Sequence, residues 1–190
     1  MISKYPASKM FSASLLNSKE LYSNLALIIA GSLFLALMSQ IIIPLWPVPF
    51  TLQTLGLIIL AGTLGPKRAS LAVITYLFEG LMGLPVFSGG KMGFWHLMGP
   101  TGGFLLGFTL YTYLYGLGLQ KAQLNMVKSI TFFISAEIAL FASGLAVLGV
   151  YFGFSSNLFT LGFIPFIPGL VIKGSIGLLI YSLYKSFTAK

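Results

Sequence analysis

An all-α polytopic membrane protein with six transmembrane helices is the fold class this sequence predicts, and three observations predict it. The chain of 190 residues is 57% hydrophobic and only 7% charged, whereas soluble domains carry about 25% charged residues. Four apolar runs reach the ~20 residues that a membrane-crossing helix needs. Two shorter apolar runs flank a basic turn. Three acidic residues cannot cover a soluble fold of this composition, so the net charge of +8 concerns the membrane surface and not nucleic acid. Cysteine is absent, which removes disulfides, thiolate metal sites and cysteine nucleophiles together.

Residues 1–23 contain Lys4, Lys9 and Lys19 but no apolar stretch long enough for a signal-peptide core. They read as a basic cytoplasmic arm before a membrane domain at 24–186 and a cytoplasmic tail at 187–190. The long spans fall at about 25–45, 99–119, 130–153 and 163–184. The short runs, 51–64 and 69–82, are separated by Gly65-Pro66-Lys67-Arg68, a tight turn by composition. They form either a re-entrant hairpin or two short, kinked spans. Charge placement favours two crossings. The arm, Lys67/Arg68, Lys121/Lys128 and Lys185/Lys190 then share one side with nine basic residues, and Lys91 stands alone on the other. The basic side is cytoplasmic, so both termini are expected there.

In this topology the second, fourth and sixth helices begin at the outer face. Each start carries matching chemistry: Pro49-Phe50-Thr51-Leu52-Gln53-Thr54, Gly99-Pro100-Thr101-Gly102-Gly103 and Pro165-Phe166-Ile167-Pro168-Gly169. Proline suits a first helical turn and threonine can cap free amides. Three helix starts therefore direct N–H groups and partial positive charge toward one outward pocket.

Lys173 lies about one turn into the sixth helix, in a run otherwise without charge. An ammonium in hydrocarbon costs at least ~2.5 kcal/mol and is retained where it faces a cavity or a partner. It is the leading candidate to bind a small molecule with an anionic group, as transporters do with half-helix amino termini. Two alternatives are snorkelling to the outer headgroups and a structural pair with Glu79, near the outer end of the third span. Glu137, deep in the fifth span, is expected to have a structural or coupling role rather than ligand contact.

The segment 83–99 is rich in glycine and aromatics. Its Ser88-Gly89-Gly90 stretch offers flexible donors, and Phe87, Phe94 and Trp95 are the side chains to cover a ligand. The alternative is an aromatic anchor in the membrane interface, which suits Trp95. Gly99, Gly103 and Gly107 form a smooth strip for close helix packing, and Ala26 and Ala30 form a smaller one on the first helix. Enzyme signatures are lacking: there is no phosphate-binding loop, one histidine, His96, and no aspartate or cysteine for a metal site. No catalytic activity, cofactor or metal is expected.

Three motifs together resemble the BioY family over about residues 25–185. They are Pro47-Val48-Pro49-Phe50-Thr51-Leu52-Gln53-Thr54-Leu55, the run from Gly83 to Gly90 with Gly99-Pro100-Thr101-Gly102-Gly103, and Pro165-Phe166-Ile167-Pro168-Gly169 with Lys173. The resemblance implies a six-helix S component of an energy-coupling factor transporter, a multi-pass protein of the cell (inner) membrane that binds biotin at high affinity. It also implies a transmembrane T component and two ATPase subunits as partners, with Ala26 and Ala30 on the T-component face. Lys173 carries over as a ligand contact, and with the residues read above the candidate substrate-binding set is Lys173, Gln53, Glu79, Phe87, Ser88, Gly89, Gly90, Trp95 and Thr101. The family's last motif usually reads Pro-Gly-Asp-x-x-Lys, and here the acidic position is Leu170; Gln53 or Glu79 is the candidate replacement acceptor. Phe104 stands where tyrosine is common, and Trp95-His96 enlarge a loop that is usually smaller. An S component for another vitamin, a solitary carrier and an intramembrane enzyme using Glu79, Glu137 and His96 are the alternatives.

Overall fold

The computed structural model describes residues 18–122 and 125–188, with side chains described through Leu183. Lys4, Lys9 and residues 189–190 of the expected arm and tail lie outside the described residues. Helix α1, Ser18–Gln40, opens on Ser18 and carries Glu20 in its first turn, where an acid complements the helix dipole. It begins earlier than the apolar run alone indicates, because hydropathy marks the hydrocarbon segment and not the helix end.

Two short strands not anticipated from the sequence follow: β1, Ile42–Ile43, pairs antiparallel with β2, Phe50–Thr51, in the register Ile42 to Thr51 and Ile43 to Phe50. Pro44, Pro47 and Pro49 lie in this segment, and proline both lacks an N–H and discourages helix in the residue before it.

Helix α2, Gln53–Leu81, is broken at Gly65, whose φ of 76° and ψ of 173° are non-helical and are followed by Pro66. Gln53 and Tyr76 would stand ~34 Å apart on one straight helix, yet Gln53 Nε2 donates a 2.8 Å hydrogen bond to the Tyr76 hydroxyl. The helix therefore folds back on itself into antiparallel limbs, 53–64 and 66–81, and Lys67 and Arg68 sit at the bend. Glycine is the residue suited to that positive φ.

The connection after α2 carries a one-turn helix, α3, Phe94–Leu97, and leads into α4, Gly102–Ala122. Asn125 caps α5, Met126–Phe152, by accepting a 3.0 Å hydrogen bond from the Lys128 amide. A short helix α6, Ser156–Gly162, and a 3₁₀ turn, Ile164–Phe166, precede α7, Ile167–Thr188. Among the described residues, four stretches are long and apolar enough to cross a membrane: Ser18–Gln40, Gln53–Leu81, Met126–Phe152 and Ser156–Leu183.

The helices α4 and α5, α2 and α4, and α1 and α2 make the main interfaces. The contact of α4 with α5 is close because a Cβ at Gly103 would lie 2.3 Å from Ser143 O and one at Gly107 2.2 Å from Ser143 Oγ. Leu57, Ile58, Val73, Tyr76, Tyr111, Tyr115 and Leu140 fill the interior. Leu33 and Leu37 of α1, Ile138 of α5 and Val171, Ile172 and Leu179 of α7 are exposed, which is the apolar exterior a lipid-embedded bundle requires.

Candidate functional site

The starts of α2, α4 and α7 converge on one cavity. Phe50, Thr51, Gln53 and Thr54 line it from the first, Thr101, Phe104, Leu105 and Phe108 from the second, and Phe166, Leu170 and Lys173 from the third. Val48 and Pro49 of the proline-rich segment, Ser88 and His96 of the long connection, and Glu137, Leu140 and Phe141 of α5 complete the wall. The space is about 740 Å³ with its open mouth included. Its lining is mainly aromatic and aliphatic with a few polar groups, the usual arrangement for holding and orienting an organic ligand.

Lys173 is only 7% exposed. Its ammonium donates to Thr51 O at 2.6 Å and Thr54 Oγ1 at 2.8 Å, and lies 3.8 Å from the centroid of the Phe50 ring. These partners are neutral, so they fix the position of the charge without cancelling it. The contact with Phe50 is possible because Gly169 packs under that ring, where a Cβ would come within 2.1 Å. Snorkelling is not how this lysine is accommodated. Nor is a pair with Glu79: that carboxylate accepts a 2.7 Å hydrogen bond from Ser32 Oγ of α1 and does not line the cavity.

Gln53, Ser88 and Thr101 line the cavity with Lys173. Gln53 is held at both ends of its amide: Oε1 accepts from Thr51 Oγ1 at 3.0 Å while Nε2 donates to Tyr76. Phe87, Gly89, Gly90 and Trp95 lie elsewhere. Phe87 is fully buried, seated on Gly80, where a Cβ would fall 2.1 Å from its ring, and edge-on to Tyr76 at 5.5 Å. It plugs the connection into the bundle instead of covering a ligand. Trp95 is 84% exposed and meets Phe94 edge-on at 5.7 Å. Gly90 N donates to Gln40 Oε1 at 3.0 Å, and Ser39 Oγ donates to Val86 O at 2.6 Å, so the end of α1 fastens this segment. At its other end the Tyr151 hydroxyl donates to Met98 O.

Two cavity residues were not expected there. His96 stacks against Phe87 at 5.3 Å, and burial, with a smaller contribution from the Lys91 ammonium, holds its imidazole below the ordinary value of 6.5. Glu137, 7% exposed, faces the cavity with the Tyr111 hydroxyl beside it. A charged residue in an apolar helix is a visible signal, but which way it points is set by the rotation of α5. Ala26 and Ala30 are exposed on α1. Among the described residues no cluster of His, Asp and Glu able to hold a metal occurs.

The family model described as "BioY family" matches residues 9–190. The chain belongs to the BioY family. The biotin transporter BioY of Thermotoga maritima is 39% identical over 153 residues, 77% of this chain and 88% of that protein. The probable biotin transporter BioY of Pyrococcus horikoshii is 35% identical over 152 residues, 78% of this chain and 90% of the other. A crystal structure of the S-component for biotin from an ECF-type ABC transporter superposes with a TM-score of 0.76 at 25% identity, covering 90% of this chain and 95% of that one. These BioY relatives are transporters and not enzymes.

Proposed function

We propose that this chain is the biotin-binding, substrate-specific S component of a vitamin importer, capturing its ligand in the cavity between α2, α4, α5 and α7. One observation carries the reading: a buried ammonium, Lys173, is fixed by neutral partners at the meeting of three helix starts. A ligand carboxylate there gains a full countercharge at the positive ends of the helix dipoles. Aromatic rings at Phe50, Phe104, Phe108, Phe141 and Phe166 suit a compact, largely apolar ring system. Gln53, Ser88 and Thr101 supply further polar contacts. The relatives named above support biotin as that ligand.

The fold-back at Gly65 supports six crossings, with the two limbs of α2 as the second and third. Lys67 and Arg68 at the bend then join Lys121 and Lys128 on the side opposite the cavity mouth, which makes that side cytoplasmic together with both termini. The cavity opens to the outer face of the cell membrane. Import is driven by partner subunits, a T component and two ATPases, with Ala26 and Ala30 offering a small-residue docking strip on α1.

Leu170 lines the cavity at the family's acidic position, which favours a second reading, an S component for a different vitamin. Calorimetric titration of the purified chain with biotin, thiamine and riboflavin separates the two. Tight binding of biotin alone is expected; preference for another vitamin would replace the first reading with the second.

A further inference from the structure

Glu137 is the sole carboxylate among the residues lining the cavity. It stands on α5 facing the same space as Lys173 and attracts it electrostatically, yet Lys173 gives its hydrogen bonds to Thr51 O and Thr54 Oγ1. Lys173 and Glu137 thus share the cavity without a hydrogen bond between them. Beside Glu137 lies the fully buried Tyr111 hydroxyl, close enough to interact with its carboxyl group. The Tyr115 hydroxyl is within electrostatic reach of Glu137.

A carboxyl group keeps acceptor capacity whether or not it is protonated, so a ligand N–H can pair with Glu137. The other acceptors in the lining are neutral hydroxyl, amide and backbone oxygens, and hydrogen bonds to a carboxylate are stronger than bonds to these; Glu79 lies between α1 and α2, outside the cavity. We propose that Glu137 accepts a hydrogen bond from an N–H of the ligand's cyclic urea, so that the cavity selects for an anionic group and an N–H donor in one molecule. The inference rests on the biotin reading given above. Glu137 then serves from α5 as the acid that Leu170 does not provide from α7.

The test titrates biotin and a biotin derivative methylated on its ureido nitrogens into the wild type, Glu137→Gln and Glu137→Ala. Methylation is expected to weaken wild-type binding by about tenfold to a hundredfold, the range for a hydrogen bond to a charged group. In Glu137→Ala the same methylation should cost about tenfold less than it costs the wild type, because the difference between the two penalties reports the lost bond. Biotin itself should bind Glu137→Ala about tenfold or more weakly, and Glu137→Gln less weakly, since the amide oxygen still accepts. If the alanine variant does not fold, the glutamine variant carries the comparison, with a methylation penalty smaller than that of the wild type. An equal penalty in wild type and variants, or undiminished biotin affinity in Glu137→Ala, overturns the role of Glu137 while leaving biotin binding intact. A wild type that binds no biotin overturns the functional reading and this inference with it.

Discussion

Glu79 and Glu137 are both carboxylates within apolar helices, and the fold places them in different settings. Glu79 lies between α1 and α2, where Ser32 Oγ reaches one of its oxygens at 2.7 Å while the other is buried without a hydrogen bond among the described residues. Glu137 faces a cavity that also contains Lys173. A carboxylate met by a donor from the neighbouring helix joins two elements of the bundle; one that faces open space with a lysine across from it is available to a ligand. Facing direction, and not depth in the membrane, separates the two roles.

The comparison breaks most readily at Ser32. Its hydroxyl has one proton, and that proton serves either Glu79 Oε1 or Ile29 O. Ser32→Ala strips Glu79 of its hydrogen bond, and the expected cost is about 1–2 kcal/mol of stability, read as a lower melting temperature in detergent. Biotin affinity should stay within about twofold of wild type, because the interaction lies away from the cavity and distant sites act independently. A large affinity loss with no change in melting would place Glu79 in the site after all.

A smaller effect is expected from His96 at the cavity wall. Its imidazole titrates below 6.5 in the folded chain, so the unfolded chain binds the proton more readily. Its contribution to stability is fully present above 6.5 and is lost as the pH falls through the lowered folded value. Melting temperature should therefore decline between about pH 6.5 and 5 by more in the wild type than in His96→Gln. Equal declines would mean that the imidazole is as solvated as in the unfolded chain.

Much of the fold is legible in the sequence because lipid demands long apolar helices, and the break at Gly65-Pro66 is written in the two residues least compatible with a continuous helix. The convergence of the starts of α2, α4 and α7 also follows from chain order and charge placement. Rotational phase does not. In a helix such as α5 the lipid face and the interior face are equally apolar, so no polar stripe announces which side Glu137 occupies. Phe87 and Trp95 illustrate the same limit in a connection: both are aromatic, but only Phe87 finds the gap over Gly80, a tertiary feature without local signature. The β1–β2 pair is two residues long on each strand, too short for any period to register. Gln40, which holds the connection through Gly90 N and Phe87 O, gives no signal beyond being a polar residue at a helix end.

The central claim is that Lys173 binds the ligand's carboxylate, and titration of the wild type with biotin and with biotin methyl ester tests it most directly. Esterification removes the negative charge and little else, so the acid should bind about tenfold to a hundredfold more tightly than the ester. In Lys173→Ala that preference should largely vanish along with most of the affinity. Equal binding of acid and ester by the wild type would contradict the account.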